Sequence, residues 1–435
     1  MNLASSKTIK VLLVLLAFTL QTQLTLFKSA DYIGIRINLT DLILPFIGLF
    51  ILFSLLTKKT LWPQFAIKGA YLWLAGLGVI LCIALLNSYY TFGEISSWGV
   101  QNKIIGWGVL SGLFLMGGWL GENAEEKDIL TFFKIAAILL FSVALTQISL
   151  QLFRFHTGRY LIDHDIARFP IAALMANKNS FIFFYLVLFS FLTFLSKESK
   201  TLKKLEIFSY FLLPLIFLFT GARSAFIALP FIFILLFIFN KKENWKKLLQ
   251  SLLIGTIIAA ALGWALPHKV QSLTPKNIES FSKINQITSG QDLSAIANNI
   301  ENKGDANRLN VLHHVFGMIK EKPFLGSGLG SVLITQVQEK GSYIDLMDCT
   351  ALWLWAETGL VGLLFFLTFY VLCFRAIWKK SRDQDAPEFT QDFCKAAMLM
   401  LITFGIMSLF HELLYTRFLW VFLGMALTLP VTRRA

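Results

Sequence analysis

Ala351-Leu352-Trp353-Leu354-Trp355-Ala356-Glu357 opens an apolar run that continues to Phe374. A helix needs about 20 apolar residues to cross a bilayer, and this run is long enough. It begins where the one long polar segment of the chain, residues 267–349, turns back into apolar sequence. Comparable runs fill most of the rest, at 11–27, 41–56, 67–87, 104–120, 129–153, 181–195, 205–220, 226–239, 248–266, 396–410 and 418–429. Only helices and closed barrels satisfy their backbone in lipid, and these runs are too long and uniform for barrel strands. The expected fold is therefore all-α, a polytopic membrane bundle of about twelve transmembrane helices. It divides into helices one to nine (residues 1–266), one large, partly helical outer loop (267–349) and the last three helices (350–435).

Composition agrees with this class. The 435 residues are 56% hydrophobic and 15% charged with 42 Phe, and mean hydropathy is +0.65, which excludes a soluble globule. The basic start followed by the run at 11–27 has the form of a signal peptide, but the many later spans favour an uncleaved first helix. A formal charge of +13 would suit nucleic acid if it lay on one face. Instead Lys and Arg fall in short clusters between apolar runs, so no nucleic-acid partner is expected. The clusters at 58–59, 197–204, 241–247, 375–382 and 433–434 occupy alternate connections, which the positive-inside rule assigns to the cytoplasm together with both termini. The connection at 122–128 runs against the pattern, although acidic residues weigh little in that rule. Cys82, Cys349, Cys373 and Cys394 are scattered, without disulfide or metal-site spacing.

The opposite, outer side collects the unusual polar residues. One loop carries Arg154, His156, Arg159, Asp163, His164, Asp165 and Arg168, and Lys178-Asn179 open the next helix. Most of these suit interfacial residues whose charged ends reach the headgroups. Arg223 is different, because Gly221-Ala222-Arg223-Ser224 joins two apolar helices with almost no loop and sets a guanidinium at the bilayer edge, where a diphosphate headgroup would lie. In the long loop, Arg308 shares a helical face with Leu312 in a run that Pro323 stops. His313 and His314 are turned from Arg308 by roughly 140° and 240° and read as surface or packing residues. Gly326-Ser327-Gly328-Leu329-Gly330 reads either as a backbone cradle for phosphate or as a flexible turn. Asp348 reads as a helix N-cap or as a base. Glu357 lies roughly 13 Å deeper, where an ionisable group needs a partner or a role.

These motifs together resemble the O-antigen ligase and polymerase superfamily. Thr220-Gly221-Ala222-Arg223-Ser224-Ala225 is similar to its Thr-x-Ser-Arg turn. Arg308 followed by Pro323-Phe324-Leu325-Gly326-Ser327-Gly328-Leu329-Gly330 is similar to its Arg and Pro-x-x-Gly-x-Gly-x-Gly signature. Asn177-Lys178-Asn179 resembles the element opening a middle helix, and Glu357-Thr358-Gly359-Leu360-Val361-Gly362 the closing Glu-x-Gly-Leu-x-Gly.

The resemblance implies a metal-independent glycosyltransferase, with no cofactor, on the periplasmic face of the bacterial inner membrane. Its donor is a polyprenyl-diphosphate-linked glycan, and its acceptor is lipid A-core, as in lipopolysaccharide biosynthesis, or another lipid-linked glycan. Arg223 and Arg308 would hold the diphosphate, helped by Arg168, Lys178, Asn179, Gly326 and Gly328, with Glu357 in support. The family's base is a His nine residues before that Glu. This chain has Asp348 there, a weaker base by its reference pKa near 4, and His411 on another outer loop is a substitute. An O-antigen polymerase and a protein O-oligosaccharyltransferase are the nearby alternatives. A twelve-helix secondary transporter is the alternative of another class, but no internal repeat is evident and polar groups gather on one face instead of at mid-membrane.

Overall fold

The computed structural model describes residues 6–26, 35–57, 62–157, 170–175, 177–239, 245–265, 303–340 and 347–431. Among them are fourteen α-helices and one pair of short strands. In order these are α1 (Ser6–Thr19), β1 (Gln23–Leu26), β2 (Ile35–Asn38), α2 (Leu39–Leu56), α3 (Ala70–Phe92), α4 (Ile105–Asn123), α5 (Glu126–Thr157), α6 (Lys178–Leu195), α7 (Lys200–Thr220) and α8 (Arg223–Phe239). There follow α9 (Trp245–Ala265), α10 (Lys303–Glu321), α11 (Ser331–Lys340), α12 (Thr350–Ser381), α13 (Glu388–Met407) and α14 (Arg417–Thr428). Each apolar run of the sequence falls on a helix. Seven of the described helices are long and apolar enough to cross a membrane, and three shorter apolar ones accompany them.

One expectation is corrected. The first apolar run does not continue as helix to residue 27, because α1 stops at Thr19 and the chain turns into β1. Gln21 holds that exit by donating to the carbonyls of Ala17 and Ala136. β1 then pairs antiparallel with β2, Leu24 opposite Ile37, a small exception to an all-α reading. At the start of α4 a π-helical turn, Gly99–Ile104, leads into the helix.

The core has a physical order. Helix α6 is buried on every side from Phe181 to Leu195, which is why its sequence has no polar face. Helices α4 and α14 pack backbone against backbone: a Cβ on Gly117 would meet the Val421 carbonyl at 2.2 Å, and one on Gly424 would meet the Phe114 carbonyl at 2.2 Å. Small residues at such crossings are how helices associate in lipid. By contrast Leu72, Ile83, Phe237, Leu253 and Trp264 are exposed and apolar, which suits surfaces meeting acyl chains.

Helix ends meet in two groups. At one end Lys197, after α6, pairs with Glu388 and Asp392 of α13, and Lys380 donates to the carbonyls of Ala426 and Leu429 at the end of α14. At the other end the amide of Thr350 donates to the Ser408 carbonyl and Asp41 pairs with Arg417 at 2.6 Å.

That second end is tied together by the turn after α10. Ser327 and Gly328 donate their amides to the carbonyls of Ala356 and Glu357, Leu360 donates to Pro323, and Leu329 donates to Ala84 of α3. The carbonyls are available because α12 is opened at Gly359, whose φ of 73° and ψ of −179° no side-chain-bearing residue adopts readily. A Cβ there would meet the Phe324 carbonyl at 2.1 Å. Gly359→Ala is therefore expected to destabilise the protein by about 2 kcal/mol or more, read as a lower midpoint of thermal unfolding in detergent. Gly108→Ala, on α4 with open space around it, should leave that midpoint unchanged or slightly higher.

Candidate active site

The site is built from helix starts and one connecting loop. Helix α7 ends at Thr220 with Gly221 left-handed as its cap, so that Arg223 opens α8 two residues later. Lys178 opens α6, whose N-cap Asn177 accepts from the Asn179 amide at 2.8 Å. Cations in the first turns of two helices oppose the helix dipoles, an arrangement that a bound anion relieves. Arg308 comes from α10 and makes an ion pair with Asp348 at 3.1 Å, both side chains being partly exposed. The loop between α13 and α14 brings His411, whose Nδ1 lies 3.1 Å from Nδ2 of Asn179. Its backbone is fixed as well, since Thr350 Oγ1 donates to the His411 carbonyl at 3.1 Å.

His411 is the meeting point. Burial, and then the charges of Arg308, Lys178 and Arg223, push its ring from the ordinary value of 6.5 down to about 3, so it stands neutral. Cations on α6, α8 and α10 thus all lower the proton affinity of one imidazole, after burial. The buried Oδ1 of Asn179 and Oγ of Ser224 have no protein partner here. Cys349, also at this end, is buried with its thiol pushed up, which disfavours a thiolate.

The structure places the expected residues as follows. Arg223, Arg308, Lys178, Asn179 and Asp348 lie at this one end, whereas Arg168 lies outside the described residues. Asp348 does not cap α12: the N-cap position is Cys349, which makes no side-chain cap bond, and the Asp348 carboxylate faces Arg308 instead. Gly326 and Gly328 do not offer a backbone cradle, because their amides bond to the carbonyls of Lys322 and Glu357. The turn's glycines serve close packing: a Cβ on Gly326 would meet the Gly359 nitrogen at 2.5 Å. Glu357 is buried and accepts from Trp353 Nε1 at 2.8 Å and from the Gly330 amide. His314 bonds Thr335 of α11 at 2.6 Å, and His313 is exposed.

Sequence reasoning missed Lys103 and Glu412. Lys103 is buried, pairs with Glu412 and lies 3.8 Å from the centre of the Trp353 ring, with Tyr415 at 4.9 Å and Trp98 at 5.8 Å. A lysine beside an apolar run was the available signal. Beside this pair is a cavity of about 70 Å³ bordered by Trp98, Asn102, Ser180, Glu412, Tyr415 and Arg417. Among the described residues no cluster of three or more His, Cys, Asp or Glu side chains is placed to hold a metal ion.

The neutral His411 has a consequence for stability. Its native pKa lies below that of the unfolded chain, so as pH falls below 6.5 the unfolded state takes up a proton that the native state refuses. Stability should fall progressively from pH 6.5 towards about 3. In His411→Gln that part of the slope should be missing from a series of thermal unfolding midpoints.

Residues 208–367, from within α7 through the first half of α12, match the family model described as O-Antigen ligase. The match takes in Arg223, Arg308, the glycine turn, Asp348 and Glu357, and leaves out Lys178, Asn179 and His411. No curated protein matches the chain. The match lies across the turn, the kink and both arginines, and it supports the O-antigen ligase superfamily for this stretch of the chain.

Proposed function

We propose that this protein moves a glycan from a polyprenyl-diphosphate carrier to an acceptor hydroxyl on the periplasmic face of the bacterial inner membrane, as an O-antigen ligase whose acceptor is lipid A-core. The observation that carries the reading is the convergence of Arg308, Lys178 and Arg223 on the His411 loop. This is a concentration of positive charge at the end of an apolar bundle, where a lipid diphosphate stands. Two guanidinium groups suit such a ligand because each offers paired donors to phosphate oxygens.

In the reaction, the acceptor oxygen bonds to the anomeric carbon as the bond from that carbon to the diphosphate breaks. The electron pair leaves with the polyprenyl diphosphate, whose charge Arg223 and Arg308 stabilise. The diphosphate is already a good leaving group, so the protein has to position it, exclude water and accept one proton. Asp348, at the family's base position, and His411 are the two groups beside the cations able to take that proton.

Arg223→Ala and Arg308→Ala should each lower transfer by about 100-fold or more while leaving the protein in the membrane. Full activity in either removes the clamp. Deleting the gene and separating lipopolysaccharide on a gel tests the acceptor. Loss of a ligase leaves bare core with polymer stranded on polyprenol, whereas loss of a polymerase leaves core carrying single repeats.

A further inference from the structure

We infer that the cavity between the π turn at 99–104 and the loop before α14 is a subsite for a neutral sugar of the glycan substrate. The inference rests on the transferase reading above and concerns residues outside the family-matched stretch.

The walls of the cavity mix aromatic rings with polar groups. Trp98, Asn102, Ser180, Glu412, Tyr415 and Arg417 border about 70 Å³. Within the π turn Gln101, Asn102 and Lys103, successive in sequence, all border the same space. Turns of this kind interrupt helices frequently at functional sites. Tyr415 is a fixed wall: a Cβ on Gly106 would meet its ring at 2.8 Å, and its hydroxyl donates to the Lys103 carbonyl at 3.2 Å. The Nδ2 group of Asn102 is buried and has no protein partner. A buried donor left in that state costs stability unless a ligand or water takes it up.

Charge selects the class of ligand. Lys103 is paired with Glu412, and its ammonium lies against the rings of Trp98, Trp353 and Tyr415. Arg417 donates to both carboxylate oxygens of Asp41, at 3.1 and 2.6 Å, and to the Tyr415 carbonyl at 2.9 Å. Each of these cations is matched by a carboxylate, so an anion gains little here. An acyl chain would strand the amide and the charged groups without water. A sugar suits them, because its hydroxyls both donate and accept while its C–H faces pack on aromatic rings.

Ser180 and Glu412 directly follow Asn179 and His411, whose side chains are 3.1 Å apart, so the cavity adjoins the candidate active site. It receives a hydroxyl-bearing edge of a sugar ring. A glycan held only by its diphosphate turns freely about that end, whereas a second contact fixes the direction from which its reacting carbon or hydroxyl is presented.

The test uses the full chain in lipid nanodiscs. Asn102→Leu keeps the size of the side chain and removes the unpaired donor, so the midpoint of thermal unfolding should stay level or rise. In transfer assays the same variant should raise one KM about tenfold with kcat nearly unchanged. The KM of the lipid-linked donor rises if the sugar belongs to the donor, and that of the acceptor if it belongs to the acceptor. Unchanged KM for both substrates overturns the subsite and leaves the transferase reading standing, the Asn102 amide then serving water alone. Ser180→Val, which narrows the cavity from α6, should raise the same KM and decides the matter where Asn102→Leu does not fold.

A binding measurement separates the two readings. With the methyl glycosides of glucose, galactose and N-acetylglucosamine as probes, saturation-transfer NMR should show at least one of them receiving magnetisation from the wild-type protein and losing it in Asn102→Leu. A protein that meets this expectation yet transfers no glycan keeps the sugar site and removes the transferase reading. Equal saturation in both proteins, or none in either, overturns the site.

Discussion

Backbone hydrogen bonds between the turn at 323–330 and the opened helix α12 hold the functional end of this molecule together. A regular helix has no carbonyls to spare in its interior, because each accepts from the amide four residues on. The break at Gly359 frees those of Ala356 and Glu357, and the amides of Ser327 and Gly328 occupy them. Glu357 completes the join by accepting from Gly330 and Trp353. The turn and the opened part of α12 thus satisfy each other's amides and carbonyls, which an apolar surrounding requires. The join also sets the direction in which α10 leaves the membrane end, and with it the place of Arg308.

With that frame fixed, the charges become informative. Lys178, Arg223 and Arg308 arrive from helices far apart in sequence, and bringing like charges towards one end costs energy. Asp348 offsets part of it through Arg308. Proteins retain such local cost where a ligand of opposite charge relieves it. The O-antigen ligase match over residues 208–367 covers both arginines.

Much of this fold was legible because lipid solvent imposes a coarse, strong pattern. Apolar runs became helices, the first only as far as Thr19, and even the uniform run at 181–195 was readable, its lack of a polar side reflecting burial within the bundle. The near absence of a loop between α7 and α8 put Arg223 at a helix boundary, where it opens α8. What escaped depends on tertiary neighbours. Asn179 and His411 are separated by 232 positions and nothing local links them. The glycine turn invited an anion-cradle reading since its amides look free in sequence, but the carbonyls that claim them exist only once α12 opens. Asp348 looked like a cap by its position alone, and the nearby guanidinium drew it away.

The π turn at 99–104 shows how a single backbone irregularity governs distant chemistry. There the Ile105 amide reaches back five residues to the Val100 carbonyl, so the turn holds one residue more than the α4 helix that follows it. The surplus swings every preceding side chain by about 100° relative to the lipid-facing stripe. Lys103 is thereby delivered into an aromatic enclosure formed by Trp98, Trp353 and Tyr415, where it holds Glu412 and the adjoining histidine loop. Shortening this coil by one position would aim an ammonium group at hydrocarbon and loosen a loop more than three hundred residues away.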